Sequence, residues 1–164
     1  MWEPSRRVGA IMENISENRA TILLVEDDQF VREVAVEILQ RAGYRILQAS
    51  NAAEATDLYR AQFGDIDLLL SDVIMPGKTG PELGAELRME RPDLKVVLMS
   101  GYGDSTPEGN FPEVEGAMYL AKPFSVRSLV TKLNEHLAGT RRTSLWVPDD
   151  KTCQERAVAQ ESHY

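Results

Sequence analysis

Apolar residues fall into two alternating rhythms between residues 21 and 138. Ile22, Leu23, Leu24 and Val25 form a short unbroken run, and Val31, Val34, Ala35, Ile38 and Leu39 then recur at helical spacing. Gly43 stands where a helix C′ residue is expected. "YRILQA" (44–49) reads as a second strand, and Ser50 as the cap of a helix running through Ala53, Leu58 and Phe63. "DLLLS" (67–71) is nearly all apolar, as a strand buried on both faces should be. The loop "DVIMPGKTG" leads to a helix near 81–90 that Pro92 helps to end. "KVVLMS" (95–100) and "AMYLA" (117–121) supply a fourth and a fifth strand. Ser125 caps a last helix whose apolar face is Val126, Leu129, Val130, Leu133 and Leu137.

Five strands alternating with helices predict an α/β fold: a doubly wound, five-stranded parallel sheet with helices on both faces. The common strand order for such a sheet is 2-1-3-4-5. The fourth helix is expected to be weak or missing. Its place is taken by "GDSTPEGNFPEVEG" (103–116), where Pro107, Gly109, Asn110 and Pro112 favour a loop or one short helical turn. The expected organisation is a tail over 1–19, one domain over 20–139, and a disordered tail over 140–164. No internal repeat is present.

Composition narrows the class. The chain has 164 residues, enough for one domain with a real core. No apolar run reaches membrane-spanning length, and no long apolar stretch follows Arg6 and Arg7 to make a signal peptide. The single cysteine, Cys153, excludes an intrachain disulfide framework and a Cys-rich zinc site, and fits a reducing compartment such as the cytoplasm. The formal net charge is −8. Residues 1–20 and 141–164 are each neutral, so the excess sits in 21–140, with 19 acids against 11 bases. That balance argues against direct nucleic-acid binding and suits cations or basic partner surfaces.

The charge is concentrated at one point. Glu26, Asp27 and Asp28 follow the first strand at once. Two carboxylates about 4 Å apart repel by roughly 4 kcal/mol at an effective dielectric near 20, so something positive should offset them. In a sheet of order 2-1-3-4-5 the topological switch lies between strands one and three, and ligands bind beyond the strand C-termini there. The first strand ends at the acids, the third at Asp72, the fourth at Ser100 and the fifth at Lys122. Clustered carboxylates with some backbone make a hard-cation site that fits Mg²⁺. A metal beside one central carboxylate points to phosphoryl chemistry, with the aspartate itself as nucleophile. Lys122 then supplies a second positive charge and Ser100 a short hydroxyl. Asp28, at the start of a helix, is better read as an N-cap.

Four other patterns carry no function. "GKT" (77–79) echoes a phosphate-binding loop, but that motif needs glycine where Asp72 stands. "DID" (65–67) precedes its strand and so lies at the wrong edge. His136 and His163 lack metal-ligand spacing; His136 is expected on a helix surface and His163 in the tail. "RRTSLW" (141–146) reads as linker.

The stretches "ILLVEDD", "LLLSDVIMPGKTGPEL", "VVLMSGY" and "LAKPF" together resemble the response-regulator receiver domain of two-component signalling. Their flavour is similar to receivers attached to hybrid sensor histidine kinases, and the resemblance covers about residues 20–138. It implies that Asp72 is the phosphorylated aspartate. It implies that Asp27 and Asp72 bind Mg²⁺ directly, Ile74 through its backbone carbonyl and Glu26 through water. Ser100 corresponds to the switch hydroxyl, Tyr119 to the switch aromatic, Lys122 to the phosphate-binding lysine, and Pro123 to the proline after a cis peptide bond. The implied partners are a histidine kinase or a histidine phosphotransfer protein, with an unknown downstream protein and a monomeric or weakly dimeric state. No output domain follows, so a stand-alone regulator and an excised receiver both fit. Two alternatives compete: a Mg²⁺-dependent small-molecule phosphatase or phosphotransferase, and a phosphate-independent binding module that kept the fold.

Overall fold

The structure, a computed structural model, describes residues 20–101 and 114–138. The expected tails and most of the 103–116 segment lie outside the described residues. Five strands, β1 (Thr21–Val25), β2 (Arg45–Ala49), β3 (Leu68–Asp72), β4 (Lys95–Ser100) and β5 (Met118–Ala121), form one parallel sheet in the order β2-β1-β3-β4-β5. Among the described residues four helices cover it: α1 (Gln29–Arg41), α2 (Ala52–Ala61), α3 (Gly80–Glu90) and α4 (Val126–Leu137). The predicted fold class and strand order are those observed.

Period-two alternation divides the core between the faces. Ile22, Leu24, Leu68, Leu70, Val97, Met99 and Leu120 meet α1 and α4 on one side. Leu23, Val25, Leu69, Val96 and Leu98 meet α2 and α3 on the other. β1 and β3 are buried along their whole length, which is why their sequences read as unbroken apolar runs. A fully buried leucine such as Leu70 contributes roughly 1.5–3 kcal/mol by its removal from water. The edge strands β2 and β5 are only partly buried and carry mixed sequences.

The helix ends follow the local chemistry. Asp28 accepts the Val31 N–H at 3.0 Å and caps α1, as its position predicts. Gly43 at φ +93° closes α1: its N–H donates to Gln40 and that of Tyr44 to Leu39, the paired bonds of a left-handed C-terminal turn. Thr79 and Glu82 form a reciprocal capping box on α3, and Ser125 caps α4 together with Ser128.

Three local expectations need correction. The cap of α2 is Asn51, not Ser50. Asn51 has the extended backbone and accepts the Glu54 N–H at 2.9 Å, while Ser50 stands one residue outside and donates its N–H and hydroxyl to the Glu54 carboxylate. The buried face of α2 is Ala52, Ala55, Thr56 and Tyr59, not Ala53 and Phe63. Ala53 is exposed and Phe63 is 59% exposed, because the helix ends at Ala61 and Gly64 (φ +91°) turns the chain away; Phe63 lies edge-on against Tyr59. His136 is not a surface residue. It is half-buried, with Nε2 enclosed and without a hydrogen-bond partner among the described residues.

Candidate functional site

A parallel sheet gathers all its strand C-termini at one edge. β1 and β3 are neighbours, with Val25 opposite Ser71, so Glu26 and Asp72 leave adjacent strands side by side. Asp72 is the last residue of β3, pairs with Met99, and is followed by the Val73 N–H bond to the Met99 carbonyl at 2.9 Å. Lys122 comes from β5, two strands away. Its N–H donates to the Ser100 carbonyl at 2.7 Å, extending the β4–β5 ladder past Ala121. The lysine side chain then crosses the end of β4. Its Nζ donates to Glu26 Oε2 at 2.9 Å and lies 3.2 Å from Asp72 Oδ2. The Lys122–Pro123 peptide bond is cis.

Glu26, Asp27 and Asp72 each offer a carboxylate oxygen, and these atoms lie within 4.8 Å of one another. Their surroundings differ sharply. Glu26 is 1% exposed and has both oxygens engaged, one by Lys122 and the other by the Asp28 N–H at 3.2 Å. Asp72 is 8% exposed and shares the lysine. Asp27 is exposed and makes no hydrogen bond among the described residues. The three adjacent acids therefore do separate things: Glu26 anchors the lysine, Asp28 caps a helix and Asp27 stays open.

Burial pushes the Glu26 carboxyl above its ordinary range, against the opposing pull of Lys122. Burial likewise raises Asp72, with Lys122 again opposing and Asp27 adding repulsion. For Lys122, burial works to lower the ammonium pKa, but Glu26 and Asp72 outweigh it and the net direction is up. The acids favour the charged lysine, and the lysine opposes the burial that favours neutral acids. Three carboxylates and one ammonium leave a formal excess of two negative charges.

That donor set fits a divalent hard cation. Mg²⁺ takes oxygen ligands at about 2.0–2.1 Å, so one ion spans oxygens up to roughly 4.2 Å apart, and a bridging water extends the reach. The cluster's oxygens, all within 4.8 Å of one another, are close enough to share one such ion. Of the three acids, Glu26 already has both oxygens bonded.

The remaining expected site residues surround this centre. Ser100 ends β4 and is buried. Tyr119 lies within β5 opposite Leu98 and is 48% exposed. Ile74 follows Val73 in the loop after β3, with its side chain exposed. Asp67 sits at the opposite edge, where its carboxylate accepts the Thr21 N–H at 2.8 Å, so "DID" belongs to strand closure and not to the site.

Two residues near the centre escaped the sequence reading. Gly80, the first residue of α3, packs its Cα onto the Asp72 backbone: a Cβ there would lie 2.1 Å from the Asp72 carbonyl oxygen. Arg32, on the second turn of α1, donates from Nη1 to the Glu26 carbonyl at 2.7 Å. The glycine had a faint signal in following a capping threonine. The arginine had none, since its partner is a main-chain atom.

Comparison with known proteins agrees with this geometry. The profile of the response regulator receiver domain matches residues 22–134, and the chain belongs to that family. It is 40% identical over 118 residues to the sensor kinase CckA of Brucella abortus, covering 72% of this chain and 12% of that protein. It is 34% identical over 116 residues to the response regulator receiver protein CpdR of the same organism, covering 71% of this chain and 95% of that one. The chain spans 27% of the transcriptional regulator NtrC of Rhizobium meliloti, so some relatives are far longer and others are of receiver size. Among solved structures, the receiver domain of the hybrid histidine kinase CckA superimposes with a TM-score of 0.62 at 36% identity, covering 72% of this chain and 99% of that one. The response regulator TrrA of Thermotoga maritima, solved with Mg²⁺ and BeF, gives 0.63 at 32% identity, with the same coverage. The chain is a two-component receiver domain similar to those of hybrid kinases, and the phosphatase alternative gains no support. No helix among the described residues is long and apolar enough to cross a membrane.

Proposed function

We propose that Asp72 accepts a phosphoryl group from a phosphohistidine on a histidine kinase or a histidine phosphotransfer protein. The supporting observation is the convergence of Glu26, Asp27, Asp72 and the Lys122 ammonium at the β1–β3 switch point. A carboxylate oxygen of Asp72 attacks phosphorus, the O–P bond forms, and the N–P bond to the donor imidazole breaks. The departing ring nitrogen is protonated from solvent. Lys122 opposes the burial that raises the Asp72 carboxyl and so favours the ionised, attacking form. Lys122 then turns from the carboxylate to a phosphoryl oxygen a few ångströms away. Mg²⁺, when bound, would neutralise charge on the transferring group. Asp27 and Asp72 would hold it directly, with the Ile74 carbonyl, and Glu26 through water.

Ser100 and Tyr119 form the readout in this reading. Both lie on β4–β5, next to the strand end that carries Lys122, and phosphorylation biases the population of two arrangements of that edge. The receiver occupies 20–139, flanked by tails, and works as a monomer or weak dimer that meets a downstream protein.

The test is labelling by acetyl phosphate or a cognate kinase. Wild type should take up one acid-stable phosphoryl group in the presence of Mg²⁺, and Asp72→Asn none, with its fold intact by circular dichroism. Stoichiometric label retained on Asp72→Asn would overturn the assignment.

A further inference from the structure

Glu26 and Asp27 are joined by one peptide group, and the residue before it is already tied down. The Glu26 N–H, in the preceding peptide, donates to the Ala49 carbonyl at 3.2 Å and fixes Glu26 to the end of β2. The Glu26 carbonyl accepts from Arg32 Nη1 at 2.7 Å, tying it to α1. The peptide is planar, so fixing its carbonyl also fixes the N–H of Asp27 and the direction in which Asp27 leaves the strand. Arg32 itself is half-buried. Its charge also reaches Glu54 at the start of α2, whose carboxyl is held low chiefly by the Ser50 N–H and hydroxyl, with Arg32 adding to the effect. The guanidinium spends its hydrogen bond on a main-chain oxygen. No carboxylate of the acid cluster is neutralised by direct contact with it.

We propose that Arg32 is a positioning residue for the metal and phosphoryl site: by clamping the Glu26–Asp27 peptide it holds the open Asp27 carboxylate toward Asp72. The inference rests on the proposed function only in taking Mg²⁺ as the cation. It separates two physical effects of opposite sign. Arg32 is a positive charge close to a divalent-cation site, and on charge alone its removal tightens Mg²⁺ binding. As a clamp, its removal frees the peptide and loosens binding. Groups that orient metal ligands typically change affinity by about ten- to a hundredfold when lost, and a clamp acting through one peptide belongs at the low end.

The experiment measures the Mg²⁺ dissociation constant of wild type, Arg32→Met and Arg32→Lys by isothermal calorimetry, with amide chemical shifts of Asp27 and Asp28 recorded in parallel. We expect Arg32→Met to bind Mg²⁺ about tenfold more weakly. Arg32→Lys keeps a cationic donor at the same place and should recover to within about threefold of wild type. The Asp27 amide shift should move in Arg32→Met while resonances at the opposite edge of the sheet, around Asp67, stay in place. A merely structural role would lower the melting temperature and leave the affinity of the folded fraction unchanged. Equal or tighter Mg²⁺ binding by Arg32→Met overturns the clamp. If Arg32→Met does not fold, Arg32→Gln is measured in its place, and Mg²⁺ binding equal to or tighter than wild type with an unmoved Asp27 amide overturns the clamp equally. Failure of wild type to bind Mg²⁺ at all would overturn the proposed function together with this inference, which distinguishes that failure from failure of the clamp alone.

Discussion

Gly80→Ala is the smallest change that should damage the phosphoacceptor without touching a charged group. A Cβ on Gly80 would lie 2.1 Å from the Asp72 carbonyl oxygen, 3.0 Å from its carbonyl carbon and 3.1 Å from Ser71 Oγ. Non-bonded carbon and oxygen approach no closer than about 3.3 Å, so roughly 1 Å must be found. The obstacle is the backbone of β3, held in register by β1 on one side and β4 on the other, and it yields poorly. The strain falls on the first turn of α3, where the Gly80 N–H donates to the Val73 carbonyl at 2.9 Å, and on Asp72 itself. Overpacking of this kind costs about 1–3 kcal/mol. The alanine recovers about 0.4–1 kcal/mol by restricting the unfolded chain, which leaves a net loss of roughly 1–2 kcal/mol. For a domain of this size that is a fall of about 3–10 °C in melting temperature. Gly84→Ala is the internal control, since its Cβ would meet side chains and no backbone, Val96 at 3.2 Å and Val114 at 3.8 Å. Urea denaturation of both variants, followed by initial labelling rates with acetyl phosphate, makes the comparison. Gly80→Ala should be the less stable of the two and should label more slowly even when fully folded. Wild-type stability and labelling for Gly80→Ala would refute the close-approach argument.

Two further outcomes follow from the charges. Asp27→Ala should raise the melting temperature without metal, because two like charges about 5 Å apart in a watery environment repel by about 1 kcal/mol, and should abolish the gain of about 1.4 kcal/mol that Mg²⁺ gives at ten times its dissociation constant; no metal-dependent gain in wild type, or an undiminished one in the variant, would contradict this. His136 has its pKa lowered by burial first and then by Lys95 and Arg88, so its neutral form is the one the fold accepts: its contribution is complete above the unfolded value near 6.5 and is lost as pH falls from there through the lower folded value. Glu26 and Asp72, both raised, act in the opposite sense, so the readout is wild type minus His136→Asn in urea midpoints between pH 7.5 and 5.5, and equal slopes for the two proteins would count against it.

The strands and most helix ends could be read from the sequence because each signal is local. A doubly buried strand must be apolar throughout, and Asp28, Thr79 and Ser125 cap with their own side chains. The acids, Asp72 and Lys122 could be placed together because a parallel sheet fixes which strand ends converge, whatever the side chains do. Errors arose where a residue's place depends on a neighbour the pattern does not name. Ser50 and Asn51 are both competent caps, and one residue of backbone extension decides between them. Phe63 keeps the helical period after the helix has ended. The surroundings of His136 come from other elements: the β4 cation Lys95 and the α3 cation Arg88 act on it electrostatically. Gly80 and Arg32 act on main-chain atoms, and a main-chain atom leaves no residue type in the sequence to pair with.

Lys122 links the chemistry to the surface. One ammonium serves two carboxylates, Glu26 at 2.9 Å and Asp72 at 3.2 Å, while its own backbone is tied to Ser100 at 2.7 Å. The Glu26 carboxylate has a further anchor in the Asp28 N–H, which donates to its other oxygen. Under the proposed reaction, esterification of Asp72 removes one of the two charges that Lys122 balances and replaces it with a more highly charged group farther from the strand. The Glu26 contact opposes any large excursion of the lysine, so on that reading the pull passes along its backbone to Ser100 at the end of β4 and back through β5 toward Tyr119. An edge strand of four residues, partly buried and paired on one side only, is the part of this sheet least able to resist that pull.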